Sequence, residues 1–471
     1  MKMSRIVPVI LIVFVLVLSA CVPTSFSRPT EIHINPGDDV EQAVVAVDGS
    51  GRSHIAGIVN DRLVYYRTRF GEPIVSFTFT MSGSGTNWMQ FAPDIAVMNN
   101  GTAYIVWKER RGGPETFVCW RSVPLIPPPE GYTKYCNPMD GTTQAAGLAR
   151  VATNGTVVYA VYDRLYTDDG HGRIYSIRYK ELTNTSNTGD VYWYIDKFET
   201  GYIYSMDMQV DVNGKLHTVF MENYTTTGLP PYTDRLAYRS NVSVLADGTM
   251  SQIWNIVTGT SIGEDTDVSL SLHTNGGVPR VACASIWTPS GIDQIYVDSC
   301  DVSGCANKNS HQVALPASWN SYSVIDDLEV LGIGENLYVS FIGDDNTAPT
   351  GAPQVYYLEA YSGDPPVQPS GGSATFKLDL EMTRVAPRPE SDSTVDFPVM
   401  VWGESNLVTN KYFVYDGLFS VTKVSEDTCG TSLLLGDINS NGVYFSGVWD
   451  ACGDTWFTTQ AWDTNIPMLF K

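Results

Sequence analysis

The feature that most restricts this chain is that it repeats itself. One unit runs Asp94-Ile-Ala-Val97, Asn99-Asn-Gly101, Tyr104-Ile-Val-Trp107 and Phe117-Val-Cys-Trp-Arg121. Another runs Asp207-Met-Gln-Val-Asp211, Asn213-Gly214, His217-Thr-Val-Phe220 and Leu236-Ala-Tyr-Arg239. Further copies begin near Val44, Ala149, Asp267, Asp327, Asp379 and Leu433, making about eight at a spacing of about 50 to 60 residues. Within a copy, alternating apolar and polar residues rich in Val, Ile, Tyr and Trp are separated by turns such as Asn154-Gly155 and Asn441-Gly442. That is the pattern of short antiparallel strands. No helical period stands against it.

A fourth strand follows in most copies, at Ile74 to Thr80, Tyr192 to Phe198, Ser251 to Val257 and Phe419 to Val424. Four-stranded sheets of this size cannot hide their edges alone, and radial packing hides most of them. The expected fold is all-β, a β-propeller of seven or eight four-stranded blades, with eight favoured. Copy seven is interrupted by Ala386 to Ser393, which keeps seven open. A solenoid calls for shorter repeats. Separate sandwiches call for linkers, and the Pro/Gly/Ser-rich stretch Gly363 to Ser373 reads as a loop between copies six and seven. The segment Glu31 to Asn35 is expected to close the ring by adding a strand to the last blade.

The N-terminus has a different character. Lys2 and Arg5 precede an apolar run from Ile6 to Val17, then Leu18-Ser19-Ala20-Cys21. A charged start, a short apolar stretch and small residues make an export signal, too short to span a bilayer comfortably. Leu18 to Cys21 resembles the lipobox of bacterial lipoproteins. The resemblance implies a signal peptide over 1–20, lipidation of Cys21 and a tether over 21–40 before a propeller over 41–471. It implies an extracytoplasmic, membrane-anchored protein at the cell surface or in the periplasm. An ordinary secretory signal is the alternative.

Asp and Glu number 51 against 29 Lys and Arg, a formal charge of -22, or -24 once Lys2 and Arg5 leave with the signal. Such a field repels nucleic acid and anionic lipid and makes both poor partners. Eight cysteines suit an oxidising compartment. With Cys21 set aside, the expected pairs are Cys119 with Cys136, Cys300 with Cys305 and Cys429 with Cys452, leaving Cys283 buried and free. Connectivity is not fixed by sequence. A monomer is favoured.

Propeller topology converts position into geometry. With strands A to D named outward from the axis, the B–C and D–A connections share one face, and the A–B and C–D connections share the other. Strand B repeatedly ends in an aromatic residue, an acid or both: Trp107 and Glu109, Tyr162 and Asp163, Glu222, Trp287, Asp344, Trp402 and Glu404, Trp449 and Asp450. Strand A opens with Asp94, Asp207, Asp267, Asp327 and Asp379 on the same face. Flat aromatics with carboxylate rims suit a sugar, so this face is the candidate ligand-binding surface for a glycan, peptide or protein. Packing between blades and bonding to backbone N–H groups explain the same recurrence without a ligand. Two segments depart from the repeat, Asp163 to Gly172 and the basic Lys108 to Gly113, and both read as solvated loops.

The arrangement is similar to the sialidase-like propellers, on the fragments Ser84-Gly-Thr-Asn-Trp88 and Gly453-Asp-Thr-Trp456. Both lack the aspartate of that family's box, and neither falls in a C–D turn. Arg67, Arg121, Arg178 and Arg239 lie at strand C, toward the face opposite the acids. The resemblance therefore implies architecture rather than activity. A glycosidase needs two carboxylates at a suitable separation, and no pair is marked out by spacing. A binding or scaffold protein is the favoured reading. An extracellular glycoside hydrolase or lyase is the alternative, and an envelope assembly component the third. No cofactor is expected apart from calcium, for which Asp437, Asn439 and Asn441 form a weak candidate loop whose twelfth position is Val448 rather than Glu.

Overall fold

The computed structural model describes most of residues 30–463. Residues 1–29 and 464–471 lie outside the described residues, as do segments including 34–39, 140–147, 386–396, 428–436, 441–443 and 449–455. The elements assigned along the described chain are strands. They group into six four-stranded and two three-stranded antiparallel sheets in chain order, with one additional two-stranded ladder.

The first sheet is made of Val40–Val47, Ser53–Val59, Arg62–Thr68 and Val75–Thr78, each strand bonded to the next in sequence. The second repeats this with Trp88–Val97, Ala103–Arg111, Thr116–Val123 and Asn137–Pro138. In the sixth sheet the fourth strand is reduced to a bridge between Tyr357 and Val367. Strand A of each sheet lies against strand A of the next. Strand A of the last, Asp437–Ser440, lies against Val40–Val47 of the first. The circle is closed, and the architecture is that of a β-propeller.

The last sheet holds Asp437–Ser440, Tyr444–Val448 and Trp462–Asp463. Thr30–His33 and Trp456–Thr459 form a separate antiparallel two-stranded ladder, which lies beside Tyr444–Val448. This ladder ties the first residues described to the last.

The core is a series of layers between consecutive sheets. Ala56, Ile58, Leu63 and Tyr65 of the first sheet pack with Ile95, Ile105 and Trp107 of the second. Ile325, Val339 and Phe341 of the sixth pack with Ala284, Ile295 and Val297 of the fifth. Both faces of an inner sheet are therefore apolar, and the β-branched and aromatic residues of strands A to C fill adjacent layers.

Adjacent A–B turns also touch. Asn99 N–H donates to Gly155 O at 2.9 Å, and Asn154 Nδ2 donates to Asp211 O at 2.9 Å. Gly155 has a φ of +88°, and a Cβ there would fall 2.2 Å from Asn99 Oδ1, so backbone conformation and space both demand glycine. Two disulfides join Cys119 with Cys136 and Cys300 with Cys305, and Cys283 is a buried free thiol. The expected Cys429–Cys452 pair and Cys21 lie outside the described residues.

Candidate functional site

The residues at the ends of strand B converge on the B–C/D–A side, but most turn inward. Trp107 is fully buried, its ring 5.2 Å from that of Phe79 in the layer between the first two sheets. Two residues on, and so on the same side of the strand, Glu109 is fully buried too. Its carboxylate accepts from Arg111 Nε at 2.7 Å and from Gln90 Nε2 at 3.3 Å. Gln90 in turn accepts the Leu63 N–H of the first sheet at 2.8 Å. Trp402 and Glu404 repeat the arrangement in the seventh sheet. Trp402 Nε1 donates to Glu404 at 3.2 Å, Thr375 Oγ1 donates at 2.8 Å and Lys377 Nζ lies 3.9 Å away.

The intervening copies follow the same rule. Asp163 accepts the Leu148 N–H at 2.5 Å, and buried Glu222 forms an ion pair with Arg235. Trp287 and Asp344 are half-buried, with Trp287 beside Tyr296 at 6.2 Å. Trp449 and Asp450 lie outside the described residues. The segment after Asp163 continues the ladder as far as the Asp168–Gly172 pair, so it is a hairpin extension rather than the loop expected from its sequence.

The buried acids described here come with cations or N–H donors of their own. Burial lowers the Lys108 and Lys377 ammonium pKa values, while Asp163 beside the first and Glu404 beside the second oppose that effect. Buried carboxylates are retained because cations and N–H donors are supplied with them. This is the chemistry of a frame.

The aspartates of strand A have an equally definite use. Asp94 accepts its neighbour's Ile95 N–H and, across the gap to the third sheet, the Val151 N–H, both at 2.8 Å. Asp207 does the same for Met208 at 2.6 Å and for Leu270 of the fifth sheet at 2.7 Å. Asp327 reaches Leu380 of the seventh sheet at 3.3 Å. Strand A carries a register shift at Asp94 and Asp327, between Phe91 and Asp94 and between Asp326 and Leu328, and one two residues before Asp207, between Ile203 and Ser205. Such bulges re-aim a side chain, here toward the next sheet. Burial raises the Asp94 carboxyl, with Arg150 and the two N–H groups resisting. Asp267 lies outside the described residues, and for Asp379 only the backbone is described.

The calcium candidates belong to this latch system. Asp437 Oδ2 accepts the Val45 N–H at 2.6 Å, and Asn439 Oδ1 accepts the Val47 N–H at 3.2 Å, so both hold the last sheet to the first. Asn441 lies outside the described residues. Calcium takes six to eight oxygen ligands, and these two oxygens are committed elsewhere. Among the described residues, one group has metal-ligand proximity, Glu109 with Cys119 and Cys136, but its two sulfurs are joined to each other.

Two buried relays were not anticipated. In the first sheet, Asp48 accepts the Ser50 and Arg52 N–H groups at 2.7 and 2.9 Å and lies 3.3 Å from His54 Nε2. His54 Nδ1 lies 2.7 Å from the Tyr65 hydroxyl. In the fourth, Asp211 accepts Asn213 and Lys215 N–H groups, His217 Nε2 lies 3.4 Å from it, and His217 Nδ1 lies 2.6 Å from Tyr238. An Asp followed six residues later by His was the available signal. Burial alone would raise the Asp48 carboxyl, but His54 and the two N–H groups bring it below its usual value. Both imidazoles are fully buried, so each relay staples an A–B turn to strands B and C.

The arginines at strand C are likewise structural. Arg239, buried, donates to Tyr238 O at 2.9 Å, Arg121 donates to Asn137, and Arg67 donates to Leu125 O.

The opposite face differs in kind. Among the described residues, the large apolar side chains that stand exposed belong to A–B and C–D connections or the strand ends beside them. Ile74 and Ile126 follow strand C of the first two sheets, and Tyr361 and Val367 follow that of the sixth. Val212, Val242, Val244 and Leu245 belong to the fourth, and Val278 opens strand B of the fifth.

No family model and no curated protein sequence matches the chain. Solved structures resemble it at low identity. An α-L-arabinanase of Penicillium chrysogenum, complexed with arabinobiose, is 8% identical over 81% of this chain and 96% of its own, with a TM-score of 0.36. The Dos1 propeller is 10% identical over 93% and 96%, at a TM-score of 0.46. Oligopeptidase B of Leishmania major is 10% identical over 93% of this chain and 55% of its own, at 0.47.

Proposed function

We propose that the chain is a lipid-anchored, extracytoplasmic propeller that serves as a binding or scaffold module for a glycan, peptide or partner protein. The observation that carries this reading is the fate of the strand B carboxylates. Glu109, Asp163, Glu222 and Glu404 are buried and bonded to donors of the same chain. A glycoside hydrolase requires one carboxyl to deliver a proton to substrate and another to attack or activate water. Acids used as internal struts are unsuited to either task, and a rigid frame suits recognition through its surface. The two disulfides fit an oxidising compartment, and no helix among the described residues is long and apolar enough to cross a membrane. The Leu18 to Cys21 signal supports attachment through Cys21.

A glycan array and a panel of chromogenic glycosides, applied to the purified mature chain, test the reading. Saturable binding without turnover is expected. Turnover that is abolished by Glu109→Gln or Glu404→Gln would overturn it in favour of a hydrolase. Mass analysis of the Cys21 peptide tests the anchor separately.

A further inference from the structure

We infer that the mouth of the gap between the second and third sheets, on the B–C/D–A side, binds the carboxylate or sulfate of a short acidic glycan. The inference rests on the binding-module reading above and adds the class of ligand and the place that receives it.

The first argument is a break in the repeat. Trp107, Phe220 and Trp402 each pack toward the preceding sheet, and the residue two further along each strand is a buried acid, Glu109, Glu222 and Glu404. In the third sheet the corresponding aromatic is Tyr162, packed with Val106 and Val118 of the second. Two residues beyond it stands Arg164, only 7% exposed. A guanidinium thus takes the position where three other sheets place a carboxylate.

The facing side of the second sheet is basic as well. Lys108 and Arg110 alternate with Val106, so they point toward the third sheet. The residues that follow the aromatic in the fourth and seventh sheets, as Lys108 does in the second, are Met221 and Gly403. The run from Lys108 to Arg111 lies on strand B and is not the loop expected from its sequence.

The geometry gathers these cations at one place. Phe91 of strand A pairs with Lys108, and Met89 with Arg110. Lys108 Nζ lies 5.4 Å from the centre of the Phe91 ring and the Arg110 guanidinium carbon 5.8 Å, so one half-buried ring steadies both charges. Arg110 Nε is buried and, among the described residues, has no hydrogen-bond partner. Arg150, exposed near the start of the third sheet's strand A, is close enough to repel the Lys108 ammonium. The described acids nearest to them, Asp94 and Asp163, already accept backbone N–H groups. Four cations are thus held together in a chain whose formal charge is -22, and an anion between them relieves their repulsion.

The surroundings select the kind of anion. Guanidinium groups match carboxylate and sulfate oxygens in pairs, and the flank of Met89 and Phe91 offers C–H contact to a sugar ring. Nucleic acid and anionic lipid carry many charges and would meet the acidic remainder of the chain. An extended peptide would need free N–H groups on a strand edge. Here the Ala92, Ile95 and Val151 N–H groups are taken by Gln42 and Asp94.

The test applies the purified mature chain to an array of uronate-bearing, sulfated and neutral glycans, followed by calorimetry. The calorimetric probes are tri-galacturonate, its methyl ester, sulfated lactose, lactose, tetraglutamate and inorganic sulfate. At least one anionic sugar should bind about tenfold or more tightly than its uncharged counterpart, and which one does so separates carboxylate from sulfate. Arg110→Ala and Arg150→Glu should each weaken that binding about tenfold or more. The first side chain is half-buried and the second exposed, so an unchanged melting temperature checks that the fold persists. Raising salt from about 50 to 300 mM should weaken binding in the native chain and have less effect in either variant. Equal affinity for charged and uncharged sugars, no acidic glycan bound on the array, or variants that bind like the native chain would each overturn the inference. Tetraglutamate or inorganic sulfate binding as tightly as the anionic sugars would overturn the glycan assignment in favour of an acidic peptide or a simple ion. Neutral glycans bound without any preference for acidic ones would refute this site and leave the binding-module reading standing. Glycoside turnover with Arg110-dependent binding intact would do the reverse.

Discussion

His273 and Asp298 face opposite pH dependences from within one sheet, and their separation offers a quantitative check on the fold. His273 lies on strand A of the fifth sheet, Val268–Asn275, and Asp298 on its strand C, Gln294–Asp301. Burial lowers the His273 imidazole from 6.5 to about 4, with the Arg280 guanidinium adding to the effect. Its Nδ1 has no hydrogen-bond partner. Burial raises the Asp298 carboxyl from 3.8 to about 6, against a hydrogen bond with Ser310. As pH falls through 6.5, the unfolded chain takes up a proton that folded His273 refuses until about 4. Stability is intact above that window and falls by about 3 kcal/mol across it. Asp298 works in the other direction. The folded chain keeps its proton up to about 6, whereas the unfolded chain releases it near 3.8, so its contribution is greatest at acid pH and is lost as pH rises, again by about 3 kcal/mol. Between about pH 4 and 6.5 the two nearly cancel in the native protein. Between about pH 7 and 4.5, His273→Gln should therefore gain about 3 kcal/mol relative to the native chain, and Asp298→Asn should lose about 2 kcal/mol. Urea unfolding followed by tryptophan fluorescence at about pH 7 and about pH 4.5 measures both differences, and comparison at each pH removes every other titrating group. If both variants track the native curve in parallel to within about 0.5 kcal/mol, the burial of these two side chains is refuted.

Three further outcomes are expected. Asp437→Ala deprives the Val45 N–H of its acceptor at the junction of the last and first sheets, and should lower unfolding stability by about 1–3 kcal/mol, with Asp94→Ala comparable at the second–third junction. Replacing both Cys119 and Cys136 by Ala opens a loop of 17 residues and should cost about 3 kcal/mol, read as a lower melting temperature that reductant no longer shifts further. A double-mutant cycle of His54→Phe with Tyr65→Phe should return a coupling near 1 kcal/mol, since the 2.7 Å contact joins two fully buried groups; additive losses would mean that no such bond exists.

The fold was legible because its signals are local. Alternation within strands and Asn-Gly turns between A and B require neighbours only a few residues apart, as does the Cys300–Cys305 pair, and recurrence of the whole pattern multiplies those local signals. The positions at the ends of strand B were legible as well, but their burial was not. Glu109, Glu222 and Glu404 read alike whether they face water or a partner, and the partners that decide are Gln90, Arg235 and Thr375, 19, 13 and 29 residues away. The Asp94 latch spans 57 residues and depends on a bulge that turns one side chain sideways. No periodicity encodes that turn. The spacing of Asp437 and Asn439 is ambiguous in the same way: alternate residues on one strand edge can feed a neighbouring strand's N–H groups, as they do here, as readily as a cation.

A structure built from copies also dictates where recognition is to be sought. Whatever recurs in most sheets must satisfy the demands common to all of them, which are filling the layer to the next sheet and satisfying its backbone N–H groups. The acids of strands A and B recur, and they meet those demands. A feature present in one sheet and dispensable for closure has no such constraint on it. The lengthened third and fourth strands of the fourth sheet go beyond what the first sheet needs to close the same ring, and the excess ends in Val242, Val244 and Leu245, exposed to water. Keeping three apolar side chains partly exposed works against solubility, and covering what remains exposed would recover on the order of 1 kcal/mol for each. Shortening this hairpin to first-sheet length should accordingly leave the melting temperature within about 2 °C while removing most of the protein's affinity for whatever the hairpin covers. A collapse of the fold on that deletion, by contrast, would make the hairpin one more strut.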